Sequence, residues 1–177
     1  MSHIINFLIK MLLGVAVIAL LYYFTSNRVS FHKENPYNTV GSTIEQKEKQ
    51  LACLAKNIYF EAGSEPFEGK VAVAQVTINR ANSGKWPGDI CDVVYQKNVV
   101  YGKIICQFSW YCEAGPKVRY NPQYKDSMEV ARKVLLENFH LPSLRDAYYY
   151  HADYVNPNWN LPKITKIGRH IFYGEKR

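Results

Sequence analysis

Residues 51–80 read LACLAKNIYFEAGSEPFEGKVAVAQVTINR. From Ile44 through Leu51, Leu54, Ala55 and Ile58 to Ala62 the apolar residues recur at helical spacing, which predicts an amphipathic helix. Gly63 is placed to end it. Pro66 suits the first turn of a second helix, where Glu65 and Glu68 complement the N-terminal dipole. That second helix, VAVAQVTINR, is apolar on nearly every side and belongs at the centre of a domain. Its Gln75 and Asn79 stand four apart and share a face that wants hydrogen bonds. Glu61 is out of place in this frame. It follows Ile58-Tyr59-Phe60 at the C-terminal end of the first helix, where the helix dipole and the apolar neighbours both disfavour an anion. Both effects raise a carboxyl pKa. An acid still protonated near neutrality is what cleavage of a glycosidic bond uses.

Further along, Trp86-Pro87-Gly88 marks a turn, Cys91–Tyr95 a short helix or strand, and residues 82–122 as a whole read as loop-rich. Asp126–Phe139 reads as a helix with Met128, Ala131, Val134 and Leu135 on one face. Ala147–His151 and Lys163–Tyr173 read as two strands of a hairpin, joined by DYVNPNWNLP. Helices followed by a small antiparallel sheet make the fold class α+β, mostly helical.

The chain has 177 residues, 47% apolar and 14% aromatic, which is the composition of one globular domain with an appendage. Its formal charge of +7 admits nucleic acid, an anionic membrane surface or an anionic polymer as partner. Nucleic acid is set aside because the sequence holds no recognition-helix pattern, RNA-binding aromatic signature or zinc-finger spacing. The scattered Lys and Arg read as a solvated basic surface.

Residues 1–24 stand apart. MLLGVAVIALLYYF follows Lys10 without a charge, and extended back to Ile4 the apolar stretch approaches the length of a spanning helix. It ends in aromatics that suit a membrane interface, where a cleaved signal would carry small residues. The reading is therefore an uncleaved signal-anchor at 1–24, a polar tether at 25–43 and a catalytic domain at 44–177 outside the inner membrane, facing the periplasm and wall. The alternative is secretion after signal cleavage. Cys53, Cys91, Cys106 and Cys112 fit export, since an even number of cysteines supports two disulfides. Three pairings are open. A monomer is expected.

The stretch 51–80 resembles the opening of the spore-cortex-lytic-type (SleB-type) cell wall hydrolase family, with its Tyr-x-Glu-Ala-Arg-x-Glu motif and following Gly-x-Val-Ala-Val-x-x-Val-x-x-Asn-Arg helix. CDVVYQ, ICQFSWYCEAG, YYYHADYVNPNW and ITKIGRHIFYG fit in order, so the resemblance runs from about Glu45 to Tyr173. Gly63 departs from it, standing where the family usually has Arg. The resemblance implies a lysozyme-like fold and cleavage of peptidoglycan between N-acetylmuramic acid and N-acetylglucosamine; with the short tether at 25–43 holding such a domain near the membrane, phage host lysis or bacterial wall remodelling is the expected setting. Glu61 takes the place of the catalytic acid. Family resemblance to lytic transglycosylases favours a route with one carboxylate, in which the muramic 6-hydroxyl attacks its own anomeric carbon.

A hydrolase would instead need a second carboxylate, about 5–10 Å from the first. Glu65, Asp89, Asp92 and Glu113 are the acids available for that role. Substrate contacts are expected from Glu65, Gln75, Asn79, Phe108, Ser109, Tyr150 and Trp110, the last stacking on a sugar face. No cofactor or metal is expected in this reading. The competing class is a zinc amidase or peptidase with His151, Asp153 and His170 as ligands, although no H-E-x-x-H pair is present. A cysteine peptidase would need a thiol that export oxidises. A sugar-binding module would leave the burial of Glu61 unexplained.

Overall fold

In the computed structural model, which describes residues 36–113 and 117–176 together with Met11, Gly14 and Ala19, the chain divides into two compact units, Met1–Thr43 and Ile44–Arg177. The expected N-terminal hydrophobic helix lies outside the described residues except at those three positions. Among the described residues no helix is long and apolar enough to cross a membrane.

Helix α1 spans Pro36–Ala62. It starts inside the stretch read as a tether, at a proline whose missing N–H costs nothing in a helix's first turn. Helix α2 (Phe67–Asn82) follows after Pro66 and is the most enclosed element, buried continuously from Gly69 to Thr77. Leu54, Ala55 and Ile58 of α1 pack with Val71 and Ala74 of α2 in the main core, as the spacing in 51–80 predicts. Helix α5 (Pro122–Leu136) lies against α2 and contributes Val130, Ala131 and Val134 to that core. It begins four residues before the expected Asp126, because Asn121 caps it through Tyr124 N–H at 2.9 Å and Pro122 fills the first turn.

Between these helices the loop-rich region is more ordered than its sequence suggests. Helix α3 (Ile90–Val94) is capped by Asp89, which accepts from the backbone of Cys91 and Asp92. Strands β1 (Lys97–Val100) and β2 (Lys103–Cys106) form an antiparallel hairpin, followed by the single-turn helix α4 (Ser109–Cys112). Tyr101 and Gly102 link the strands with φ of 49° and 73°, the paired positive values of a two-residue hairpin turn. Disulfides join Cys53 to Cys91 and Cys106 to Cys112, one of the three pairings left open by the sequence.

The C-terminal sheet has three antiparallel strands in the order β3 (Tyr149–Ala152), β5 (His170–Tyr173), β4 (Lys163–Ile167). The expected strand Lys163–Tyr173 is thus two strands, folded back at Gly168 and Arg169. Gly168 has φ 58°, and a Cβ there would lie 1.9 Å from Glu65 Oε2. Both the backbone and the available space require glycine. A second, smaller core of Ala72, Val76, Leu144, Ala147 and Phe172 joins the sheet to α2. The result is the helix-rich α+β architecture with small antiparallel sheets that the residue pattern predicts.

Candidate active site

Glu61 sits in the last turn of α1 and is half-buried. It lines a cavity of about 240 Å³ with Arg80, Phe108, Ser109, Tyr149, Tyr150 and Trp159. The cavity therefore draws on the ends of α1 and α2, the β2–α4 junction, β3 and the long β3–β4 loop. The Tyr150 hydroxyl donates to Glu61 Oε2 at 3.0 Å. Burial raises the Glu61 pKa above that of a free glutamate, and the nearby charge of Glu113 adds to the effect; the Tyr150 hydrogen bond and the Arg80 charge oppose it. Burial, reinforced by the Glu61 charge, holds the Tyr150 phenol protonated well above its usual range. Tyr150 therefore stays a donor to Glu61.

Arg80 is a cavity residue absent from the expected site set. It is 4% exposed, at the end of α2, with its guanidinium carbon 5.6 Å from the Phe108 ring, 5.7 Å from Trp86 and 6.0 Å from Tyr149. Its Nε donates to the Tyr148 carbonyl at 2.7 Å, while Nη1 has no hydrogen-bond partner among the described residues. A sequence signal did exist. Arg80 falls four residues after Val76 and seven after Val73, on a face that is otherwise buried, and a cation there demands a purpose.

The other expected site residues separate into two groups. Phe108, Ser109 and Tyr150 line the Glu61 cavity. Glu65, Gln75, Asn79 and Trp110 do not, and each has another partner. Glu65 accepts the Arg169 N–H at 2.9 Å and so holds the β4–β5 turn against the start of α2. Gln75 bonds both backbone groups of Leu141, donating at 3.1 Å and accepting at 2.8 Å. Asn79 donates to the carbonyls of Leu144 and Ala147, each at 2.8 Å. These amides fasten the chain entering β3 to α2, adding to its own short-range backbone bonds from Leu144 N–H to the Leu141 carbonyl and from Ala147 N–H to the Leu144 carbonyl. Trp110, expected to stack on a sugar, is turned inward. Its ring stacks on Phe60 at 4.7 Å, and its Nε1 donates to Asn57 Oδ1 at 3.1 Å. The exposed aromatic at the cavity is instead Trp159, 6.1 Å from Tyr149.

Neither Asp89, committed to capping α3, nor Asp92 lines the cavity. Of the acids weighed as a second carboxylate, Glu113 is the one whose charge reaches Glu61. The zinc set does not assemble. His151 pairs with the Tyr173 hydroxyl at 2.8 Å, Asp153 forms an ion pair with Lys166 at 2.8 Å, and His170 packs edge-on against Tyr150 at 5.2 Å. Among the described residues no group of three or more His, Cys, Asp or Glu is placed to hold a metal ion. At Gly63, the departure from the family motif, a Cβ would lie 2.4 Å from the Tyr59 carbonyl oxygen and 2.6 Å from Gln123 Nε2. This chain has packed the position shut.

Comparison with known proteins agrees with the fold. The chain is 32% identical over 126 residues to a spore cortex-lytic enzyme of Bacillus subtilis (strain 168), covering 69% of this chain and 36% of the relative. It is 30% identical over 129 residues to a spore cortex-lytic enzyme of Halalkalibacterium halodurans, covering 71% and 34%. The chain thus spans about a third of the length of these relatives. In three dimensions it is similar to the crystal structure of the catalytic domain of the Bacillus cereus SleB protein, with TM-score 0.54 and 26% identity over 71% of this chain and 90% of that one. The cell wall hydrolase profile matches residues 64–173, beginning just past Glu61 and taking in every other residue that lines the cavity. The chain belongs to the cell wall hydrolase family.

Proposed function

We propose that the domain cleaves peptidoglycan glycan strands between N-acetylmuramic acid and N-acetylglucosamine as a lytic transglycosylase, with Glu61 as its one catalytic carboxylate. The observation that carries this reading is the Tyr150–Glu61 hydrogen bond at 3.0 Å on a carboxyl whose pKa burial has raised. Protonated Glu61 donates to the glycosidic oxygen as the bond from that oxygen to the muramic anomeric carbon breaks. The Glu61 carboxylate so formed takes the proton of the muramic 6-hydroxyl, whose oxygen closes onto the anomeric carbon. No water is consumed, and Glu61 returns to its starting state. Tyr150 and Arg80 favour the intermediate carboxylate, while burial favours the starting acid. Trp159 and Tyr149 offer aromatic surface to the sugars. The arrangement of an acid at a helix end facing a small sheet supports the lysozyme-like description. Two disulfides support action outside the cytoplasm, at the wall.

A second reading is hydrolysis with Glu113 as the base that activates water, favoured by the influence of its charge on Glu61. Both readings need Glu61. Glu61→Gln is nearly isosteric, so the fold should persist while clearing of purified sacculi falls below a few per cent of the parent rate. A folded variant that still clears sacculi at a substantial fraction of that rate removes Glu61 from the mechanism.

A further inference from the structure

The β1–β2 hairpin carries a run of apolar side chains that the described residues leave uncovered. Val99 is 73% exposed, Ile104 64%, Ile105 50% and the turn residue Tyr101 100%. The strand register pairs Val99 with Ile104 and Asn98 with Ile105, and residues opposite one another share a face. Apolar side chains therefore stand on both faces, Val99 with Ile104 on one, and Val100 and Ile105 on the other beside Lys103 and Asn98. A surface built to dock a protein partner or a second copy needs one apolar face and keeps the other polar, as antiparallel sheets do. An element that dips into an apolar medium needs apolar groups on both, and tolerates a lysine among them whose long stem carries the charge back to the headgroups.

The charges within the hairpin have a single sign. Residues 96–107, QKNVVYGKIICQ, contain Lys97 and Lys103 and no acid. The base is well tied: Gln107 N–H donates to the Gln96 carbonyl at 2.9 Å, Cys106 is bonded to Cys112, and the Lys97 amine lies 4.6 Å from the centre of the Tyr111 ring. We propose that this hairpin is a wedge that seats the domain on an anionic lipid surface. Val99, Val100, Tyr101, Ile104 and Ile105 enter the boundary between headgroups and acyl chains, and the lysines reach the lipid phosphates. Penetration stops there. A two-stranded ribbon leaves outward N–H and C=O groups that the hydrocarbon interior cannot satisfy. Strands of four residues, at about 3.3 Å each, reach roughly 13 Å, enough for that depth and no more.

The test uses the full chain, whose four cysteines are all paired, with a nitroxide on Tyr101→Cys and, as control, on the exposed Glu129→Cys of α5. Vesicles of phosphatidylglycerol and phosphatidylcholine should raise collision of the label at 101 with oxygen and lower it with a water-soluble nickel chelate. The label at 129 should not change. Combining Val99→Glu and Ile104→Glu should cut the immersed fraction at 101 at least tenfold. The proposal is overturned if the chain fails to bind the vesicles, or if it binds while the label at 101 stays in water. It is equally overturned by spin–spin broadening without vesicles, which means self-association, or by protection from sacculi alone, which means a glycan-binding arm.

Discussion

Tyr150→Phe removes one oxygen from the site and leaves the ring, which packs 5.2 Å from His170 and 5.7 Å from Phe172. The lost contact is the 3.0 Å hydrogen bond to Glu61 Oε2. A hydrogen bond to a charged group contributes about 1.5–3 kcal/mol, and here it acts mainly on the carboxylate that Glu61 becomes after giving up its proton. Losing it should lower the rate of sacculus clearing roughly ten- to hundredfold. The pH profile should move as well. Tyr150 opposes the rise that burial imposes on the Glu61 pKa, so without it the acid stays protonated to higher pH. The alkaline limb of kcat/KM should therefore shift upward while the maximum rate falls. General misfolding would lower the rate without that shift. Initial clearing rates from pH 4 to 9, with circular dichroism on each sample, measure both. A variant within twofold of the parent, with its alkaline limb unmoved, would refute the argument that Tyr150 governs Glu61.

The Glu61 pKa is raised above 4.5 in the folded state, so folding favours the protonated form, and this carboxyl destabilises the protein as pH rises through its folded pKa. Glu61→Gln should therefore raise Tm at pH 7, with the gain vanishing at pH values below that of a free glutamate's titration; calorimetry across that range checks the sign. Joint replacement of Cys53 and Cys91 by Ala opens a link spanning 38 residues, which in the chain-entropy picture costs about 4 kcal/mol. Urea unfolding should show that loss, and clearing should persist at low temperature, because neither cysteine lines the Glu61 cavity.

The burial of Glu61 and the upward shift of its pKa were legible in the sequence because the anomaly is local: a carboxylate at the end of a helix, directly after Ile58-Tyr59-Phe60. The two central helices were legible through their periodicity, Gly63 and Pro66. Gln75 and Asn79 misled because a buried polar pair advertises only a need for partners. Those partners are backbone groups of residues 141–147, which lie more than 60 positions away. Trp110 misled in the same way, since its orientation depends on Asn57, itself held by Thr77 at 3.2 Å. Arg80 is surrounded by Trp86, Phe108 and Tyr149, which are dispersed along the chain, so its place on a buried helix face and at the end of the Asn-Arg motif are the signals that mark it. The β1–β2 hairpin could have been read from its β-branched residues flanking Tyr101-Gly102. Its location in an otherwise loop-rich region concealed it.

The central claim is that one carboxylate acts first as acid and then as base without water. Digestion of purified sacculi in H₂¹⁸O, followed by mass spectrometry of the released muropeptides, tests it most directly. The account predicts 1,6-anhydromuramic ends, lighter than reducing ends by one water and free of ¹⁸O. Reducing muramic ends carrying ¹⁸O at the anomeric position would contradict it and make Glu113 the first residue to test as the base.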